Sequence, residues 1–165
     1  MKLKRIAKHL ITPDWVARRA FPRAALERIG EAVRASERTH TGELRFAVEA
    51  GLDMRALLRG LTPRARAEEV FSRLRVWDTE HNSGVLIYVQ LVDRRIEIVS
   101  DRGISSRVPQ SEWDAICRGM ESAFRERRFE KGALDAIDRV TRLLAKHFPP
   151  QGENPDELPD KPVVL

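Results

Sequence analysis

Apolar residues recur every three or four positions in several segments of the chain, which is the spacing of an amphipathic helix. The clearest segment follows Thr62-Pro63, a helix-start signal, and predicts a helix that runs to about residue 77. The same spacing predicts a short helix after Thr12-Pro13 and a longer one over residues 21–39. A final pair of helices is predicted from Ser111, in a Ser-x-x-Asp capping pattern, to the neighbourhood of His147.

Two other segments have the pattern of β-strands. Apolar and charged residues alternate over residues 43–50, with Glu43, Arg45 and Glu49 on the charged side, which predicts a strand with one face in water. Residues 85–89 are continuously apolar, as in a strand buried on both faces. A short connection leads from there to residues 96–99, which predicts an antiparallel hairpin.

The order of these elements predicts an α/β fold, a three-layer α/β/α sandwich with a small mixed β-sheet that contains the hairpin. The length of 165 residues fits one domain. We expect a basic N-terminal arm with a short helix over residues 1–20, and the folded domain over 21–148. Residues 149–165 hold five of the nine prolines and several acidic residues, which predicts a flexible acidic tail that forms neither a helix nor a central strand.

Composition narrows the cellular setting. No apolar run approaches the roughly 20 residues that cross a bilayer, and the N-terminus lacks the pattern of a signal peptide. The single cysteine, Cys117, excludes an internal disulfide. We therefore expect a cytoplasmic protein.

The formal net charge of +5 is concentrated near the N-terminus, where eight lysines and arginines precede residue 29. Such an arm attracts anionic lipid or nucleic acid, but none of the aromatic stacking motifs of RNA-binding folds accompanies it. Nucleic acid is therefore not an expected partner. The expected partner is a protein, and the arm leaves open a peripheral, membrane-associated location at the inner membrane.

Two polar loops beside the predicted hairpin carry the candidate chemistry. Asp78, Glu80 and Asn82 precede the first strand of the hairpin, and Asp101 follows the second, so antiparallel pairing places them at the same end of the sheet. Their oxygens suit a Ca²⁺ or Mg²⁺ ion, and Arg102 suits an anionic group. A simpler interpretation stays open, in which these side chains only solvate turns and cap helices.

Other reactive side chains have structural explanations. His81 is a lone loop histidine without a visible partner, and we expect it to be exposed. Cys117 lies at helical spacing with Trp113 and Met120, which predicts a packed thiol, and Trp77 is likewise predicted to pack. The sequence has no phosphate-binding glycine loop, zinc spacing or nucleophile elbow, so no cofactor-binding or catalytic residue is assigned.

Several short motifs, in order and at matching spacing, resemble the TPM domain family over roughly residues 21–148. They are the run Trp77-Asp78-Thr79-Glu80-His81-Asn82-Ser83-Gly84 with its following strand, the Asp93-Arg94 turn, Asp101-Arg102-Gly103, and Phe124-Arg125 with Phe129 and Gly132. The chain resembles a soluble branch of that family without transmembrane segments. It differs where relatives have Asp-Asn-Gly, since Asn82-Ser83-Gly84 loses a carboxylate, and where they have Gly-x-Gly, since Asp101 adds one.

The resemblance implies a function that the residues alone do not specify. The family is bacterial and plastid, and includes thylakoid photosystem-repair proteins with reported acid phosphatase activity and calcium binding. The lost loop carboxylate favours a protein-interaction module, which either binds a divalent cation or is metal-free. The alternative is a weak metal-dependent acid phosphatase, and whether the chain is an enzyme stays open.

Overall fold

Eight helices and four strands make up the part of the chain that the computed structural model describes, residues 2–150 and 157–165. The helices are α1 (Lys2–Leu10), α2 (Trp15–Ala20), α3 (Arg23–Glu37), α4 (Met54–Leu58), α5 (Pro63–Arg73), α6 (Arg102–Ser105), α7 (Gln110–Arg125) and α8 (Phe129–His147). The strands are β1 (Glu43–Glu49), β2 (Gly84–Gln90), β3 (Arg95–Ser100) and β4 (Val163–Val164). Over these residues no helix is both long and apolar enough to cross a membrane.

The strands form one mixed sheet in the order β3-β2-β1-β4. β2 runs parallel to β1, with Glu43 opposite Gly84, and antiparallel to β3. β1 also runs parallel to β4, with Ala47 opposite Val163. This arrangement confirms the predicted hairpin and the mixed sheet.

Helices cover both faces of the sheet, which confirms the predicted α/β/α architecture. On one face, α3, α7 and α8 enclose the largest core cluster, which includes Phe46, Ile87 and Leu144. On the other face, α5 packs against a smaller cluster that includes Val70 and Leu86. Because successive strand residues point to opposite faces, β1 and β2 contribute to both clusters.

The second face of β1 is buried, and the prediction that it faces water is wrong. Glu43, Arg45 and Glu49 are 2%, 6% and 4% exposed. At one end of the strand, Arg66 of α5 pairs with Glu49, with Nη2 2.6 Å from Oε1. At the other end, the Leu158 N–H donates to Glu43 Oε2 at 3.1 Å. The alternation identified the two faces correctly, but it carries no information about the elements that cover the second one.

Residues 157–165 complete the sheet, in contrast to the predicted flexible tail. Val163–Val164 forms β4, and the Leu165 N–H donates to the Val48 carbonyl oxygen at 2.9 Å. Prolines flank edge strands more readily than central ones, because an edge strand needs fewer backbone donors. Residues 151–156 of the predicted tail lie outside the described residues.

Some local predictions differ in detail. α7 begins at Gln110, one residue before Ser111, and no side chain caps it. Trp113 is 2% exposed, as expected of a packing residue, but Trp77 lies beyond the end of α5 and is 48% exposed. The prediction that Trp77 packs is therefore wrong. The basic arm contains two helices, α1 and α2, where the sequence predicted one.

Candidate functional site

The two polar loops lie side by side at one end of the sheet. The hydrogen-bond ladder of the β2–β3 hairpin continues into them, because the Asp101 N–H donates to the Gly84 carbonyl oxygen at 2.9 Å. The Gly103 N–H donates to the Asn82 carbonyl oxygen at 3.1 Å. The antiparallel pairing thus brings the backbones of the two loops together, as the sequence predicted.

Local backbone features fix the first loop. A Cβ built on Gly84 would lie 1.8 Å from the Val76 carbonyl oxygen, so no other residue fits there without moving the chain. Asn82 has a φ of 50°, in the left-handed region that asparagine tolerates better than most residues. The Ser83 N–H donates to Thr79 Oγ1 at 2.9 Å. These contacts hold Asn82 at the turn that meets the second loop.

Asp101 is the buried member of the predicted ligand set. The residue is 8% exposed, and its Oδ1 accepts a hydrogen bond from the Arg102 N–H at 2.6 Å, which caps α6. Its Oδ2 is also buried and has no hydrogen-bond partner among the described residues. A buried carboxylate oxygen without a donor carries a desolvation cost that a bound cation would relieve.

Asp78 and Glu80 are exposed, and other contacts engage the side chain of Asp78 and the backbone of Glu80. Asp78 pairs with Arg75, with Oδ2 3.1 Å from Nη2. The Glu80 N–H donates to the carboxylate of Glu157 at 3.1 and 3.2 Å. Among the residues that the structure describes, no three His, Cys, Asp or Glu side chains form a group that would hold a metal ion.

The remaining predicted polar residues lie on the surface of the same region. Asn82, His81 and Arg102 are all exposed, as expected for His81. The Arg102 side chain makes no hydrogen bond or ion pair with any described residue, so its guanidinium is available to an anion.

A buried charge cluster that the sequence analysis missed lies beneath residues 157–165. Glu37, Glu43, Arg45 and Asp160 are buried, and Arg34 donates from Nε to Asp160 Oδ2 at 2.7 Å. Burial, and then a hydrogen bond with Asp160, raises the pKa of Glu37 to about 9. With Glu37 protonated, the carboxylates of Glu43 and Asp160 balance the charge of the guanidinium groups of Arg34 and Arg45.

A signal for this cluster was present in the sequence. On β1, charged residues of both signs alternate with apolar ones, and β1 neighbours the most apolar strand, β2. A strand inside a mixed sheet is usually covered on both faces. Such residues are buried only if they are paired. Glu43 and Arg45 therefore pointed to partners distant in sequence.

A second buried network joins α5 to the sheet. Tyr88 donates from its hydroxyl to Glu49 Oε2, and Arg66 binds the same carboxylate through Nη2 at 2.6 Å and Nε at 3.0 Å. Burial, and then the charge of Glu49, raises the pKa of Tyr88. Each partner is satisfied, so the network stabilises the packing of α5 and leaves no free reactive group.

Cys117 and His40 are two further side chains with potential reactivity that are not on the surface. Burial raises the pKa of the Cys117 thiol to about 12, so it stays protonated at neutral pH. Cys117 packs against the main core, as predicted. Burial lowers the pKa of His40 to about 4, which keeps its imidazole neutral.

Comparison with known proteins confirms the resemblance found in the sequence. A family model described as the TPM domain matches residues 18–143, and the chain belongs to this family. The NMR structure of the BA42 protein from the psychrophilic bacterium Bizionia argentinensis is similar, with 30% identity and a TM-score of 0.72, over 85% of this chain and 92% of that one.

A second solved structure shows the likeness at the level of the fold. The N-terminal domain of a protein from P. gingivalis has 15% identity and a TM-score of 0.64, over 86% of this chain and 95% of that one. No curated protein matches the chain. The comparisons thus define the family and the fold.

Proposed function

We propose that this TPM domain is an interaction module that binds a partner protein through an apolar face of α1 and the residue that follows it. The supporting observation is the orientation of that helix. Leu3, Leu10 and Ile11, hereafter the α1 patch, are 84%, 49% and 78% exposed. An apolar helix face that points away from its own domain is typical of a surface that another molecule covers.

Polar contacts hold α1 in this orientation. Arg5 Nη2 lies 2.8 Å from Asp93 Oδ2, and His9 Nε2 lies 3.1 Å from Asp93 Oδ1. The Leu52 N–H donates to His9 Nδ1 at 2.9 Å, and Lys8 Nζ donates to the Val92 carbonyl oxygen at 2.8 Å. Because the polar side of the helix is turned toward the domain, the apolar side is left for a partner.

The spacing of the α1 patch fits a helical partner. Leu3 and Leu10 are seven residues apart, which places them two turns apart on one face, as in helix-on-helix contacts. Lys4 is exposed beside them, so an apolar partner helix with acidic flanks would complement this surface.

The test compares the wild-type chain with the double variant Leu10→Lys, Ile11→Ser in affinity capture, followed by binding measurements on the purified partner. We expect the double variant to fold normally and to lose the partner, with its Kd raised at least about tenfold because buried apolar contacts are lost. Trp77→Ser, which removes an exposed apolar side chain elsewhere, should leave binding unchanged. An identical set of bound proteins for both chains, or α1-dependent binding to protein-free anionic vesicles alone, would contradict a protein partner.

The proposal includes a divalent cation, Ca²⁺ or Mg²⁺, at the two polar loops. The partnerless Oδ2 of Asp101 supports this assignment, and Glu80 and Asn82 would supply further oxygens. A cation there would link the two loops and supply positive charge beside Arg102. The acid phosphatase alternative rests on the same two features, a cation at Asp101 and a free guanidinium for a phosphate.

Amide NMR titration with Ca²⁺ and then Mg²⁺ tests the cation site. We expect saturable shifts at residues 78–84 and 101–104, and their loss in Asp101→Asn, which keeps Oδ1 as the helix cap. Asp78→Asn is the matched control, because Asp78 already pairs with Arg75. Absence of shifts in the wild-type chain would rule out the site, whereas cation-dependent turnover of a phosphate monoester that Asp101→Asn abolishes would favour the phosphatase.

A further inference from the structure

A groove of about 590 Å³ lies at the end of the sheet opposite the two polar loops. α2, the turn between β2 and β3, and the connection between α7 and α8 form its walls. The volume is within the usual range for small-molecule sites. Its inner wall is apolar, and four arginines line it, namely Arg94, Arg95, Arg125 and Arg127.

Neighbouring acids do not neutralise these arginines. Three acids close to them in sequence already have a cation of their own: Asp93 pairs with Arg5 at 2.8 Å, Glu126 with Arg128 at 2.5 Å, and Glu130 with Arg28 at 2.5 Å. A fourth, Glu97, interacts with Arg95 but is shared with Arg64 of α5. Glu121 is the acid that lines the groove, and its carboxylate lies 3.8 Å from Arg125. The groove therefore has a surplus of positive charge.

Within the described part of the chain, no polar contact competes for the guanidinium groups of Arg94 and Arg127. Neither side chain makes a hydrogen bond or an ion pair with any residue that the structure describes. Two guanidinium groups at the edge of an apolar groove can each bind a phosphate or carboxylate through paired N–H donors. Exposed arginines are common, but here the free donors border an apolar cavity, so an anion bound by them would have its organic part against Phe124 and Phe129.

The apolar surface continues beyond the arginines. A second, more open cavity of about 910 Å³ shares Val16, Arg127 and Phe129 with the first, and extends between α2 and α8 past Pro22 and Leu134. Charged side chains of α2 and α8 also line the second cavity, and the length of its apolar part suits an extended aliphatic body more than a compact ring system.

The geometry points to a binding site for an aliphatic organic anion. Arg94 and Arg127 hold its phosphate or carboxylate head, and the alkyl chain lies along Phe124, Phe129 and the second cavity. This site is separate from the α1 patch and from the two polar loops, so it stands or falls independently of the proposed function.

The probe is octyl phosphate below its micelle-forming concentration, titrated into the isotope-labelled full chain and followed by amide NMR. We expect saturable shifts at residues 89–96 and 124–129. Octanoate, with the same chain and a carboxylate head, should shift the same amides. Inorganic phosphate, which lacks the chain, and octyl glucoside, which lacks the charge, should each bind at least about tenfold more weakly, because each loses one of the two contributions.

Arginine variants locate the head group. Arg94→Gln and Arg127→Gln should each raise the Kd for octyl phosphate at least about tenfold, the loss expected for a charge-assisted hydrogen bond. Arg38→Gln is the matched control, since Arg38 is exposed after α3, at the other end of the sheet. Equal binding of octyl glucoside, preferential binding of adenosine monophosphate, or unchanged affinity in both groove variants with normal circular dichroism would each overturn the proposal.

Discussion

At the scale of single residues, His40 links the fold to pH. The residue is buried, its Nδ1 accepts from the Gly42 N–H at 3.2 Å, and its Nε2 lies 2.8 Å from Ser36 Oγ. Burial lowers its pKa to about 4, from 6.5 in an exposed histidine. As the pH falls below 6.5, the unfolded chain therefore takes up a proton before the folded chain does. Stability falls between these two values, and the group has no effect above them.

We expect His40 to account for a loss of about 2 kcal/mol in the free energy of unfolding between pH 7 and pH 5. His40→Asn keeps an acceptor for Gly42 but does not titrate, so its stability relative to the wild type should rise by about 2 kcal/mol from pH 7 to pH 5, whatever other groups such as Glu37 contribute to both chains. Urea unfolding at both pH values measures the difference. His81→Asn is the control, because His81 is exposed, and it should behave like the wild type. An equal loss of stability in His40→Asn and the wild type would exclude His40 as the cause.

Sequence reasoning placed individual residues well where the reason was local, and poorly where it was not. The loops of Asp101 and Asn82 were predicted at the same end of the sheet because hairpin pairing follows from adjacent segments, and the structure has this arrangement. The buried Arg45, in contrast, lies near the carboxylate of Asp160, which is more than a hundred positions away in sequence. No local pattern specifies which distant carboxylate will cover a charged strand face.

At the scale of elements, β4 depends on contacts outside itself. It has two residues, so its own ladder contributes little, and the buried Leu158 and Asp160 precede it. Propensity could not predict this strand because prolines surround it, whereas α5, α8 and the hairpin follow from capping and periodicity. The orientation of α1 could not be predicted either, since amphipathicity defines the two sides of a helix but not which side meets the domain.

We expect Asp160→Asn to destabilise the domain by about 2–3 kcal/mol, because it removes the charged acceptor of the Arg34 hydrogen bond and one of the carboxylates near the buried Arg45. The variant should also loosen β4. Urea unfolding measures the first effect, and amide exchange at Val163–Leu165 measures the second. Lys161→Gln, an exposed neighbour, should change neither. Wild-type stability and exchange in Asp160→Asn would show that the buried cluster does not hold the strand.

At the scale of the whole molecule, one core joins most of the elements while α1 stands apart. The main cluster contains residues of α2, α3, α6, α7 and α8 together with β1, β2 and β3, and Trp113 lies within it. α1 instead packs on a small separate cluster of Leu52, Ala56 and Leu57, supported by the polar contacts to Asp93. Elements that pack on one core unfold together. Because α1 packs on a separate cluster, it should unfold locally before the rest of the domain.

A variant with Trp15→Phe and Trp77→Phe leaves Trp113 as the fluorescent reporter of the core. We expect its urea transition to coincide with that of far-ultraviolet circular dichroism, because Trp113 belongs to the same cluster as most of the helices and strands.

Hydrogen exchange should show a lower opening free energy for the amides of residues 3–10 than for those of β2. Hydrogen bonds from Arg5 and His9 outweigh burial and lower the pKa of Asp93, so these contacts stabilise its ionised form.

Asp93→Asn should therefore accelerate exchange in α1 and leave the midpoint of the core transition nearly unchanged. A Trp113 transition that precedes the loss of helical signal would mean that the sheet and α7 unfold separately. Equal exchange of α1 and β2 in the wild type would mean that α1 is part of the core. The expected result, a cooperative domain with an independently opening helix, would leave the α1 patch free to rearrange on a partner while the sheet keeps the two polar loops and the arginine-lined groove in place.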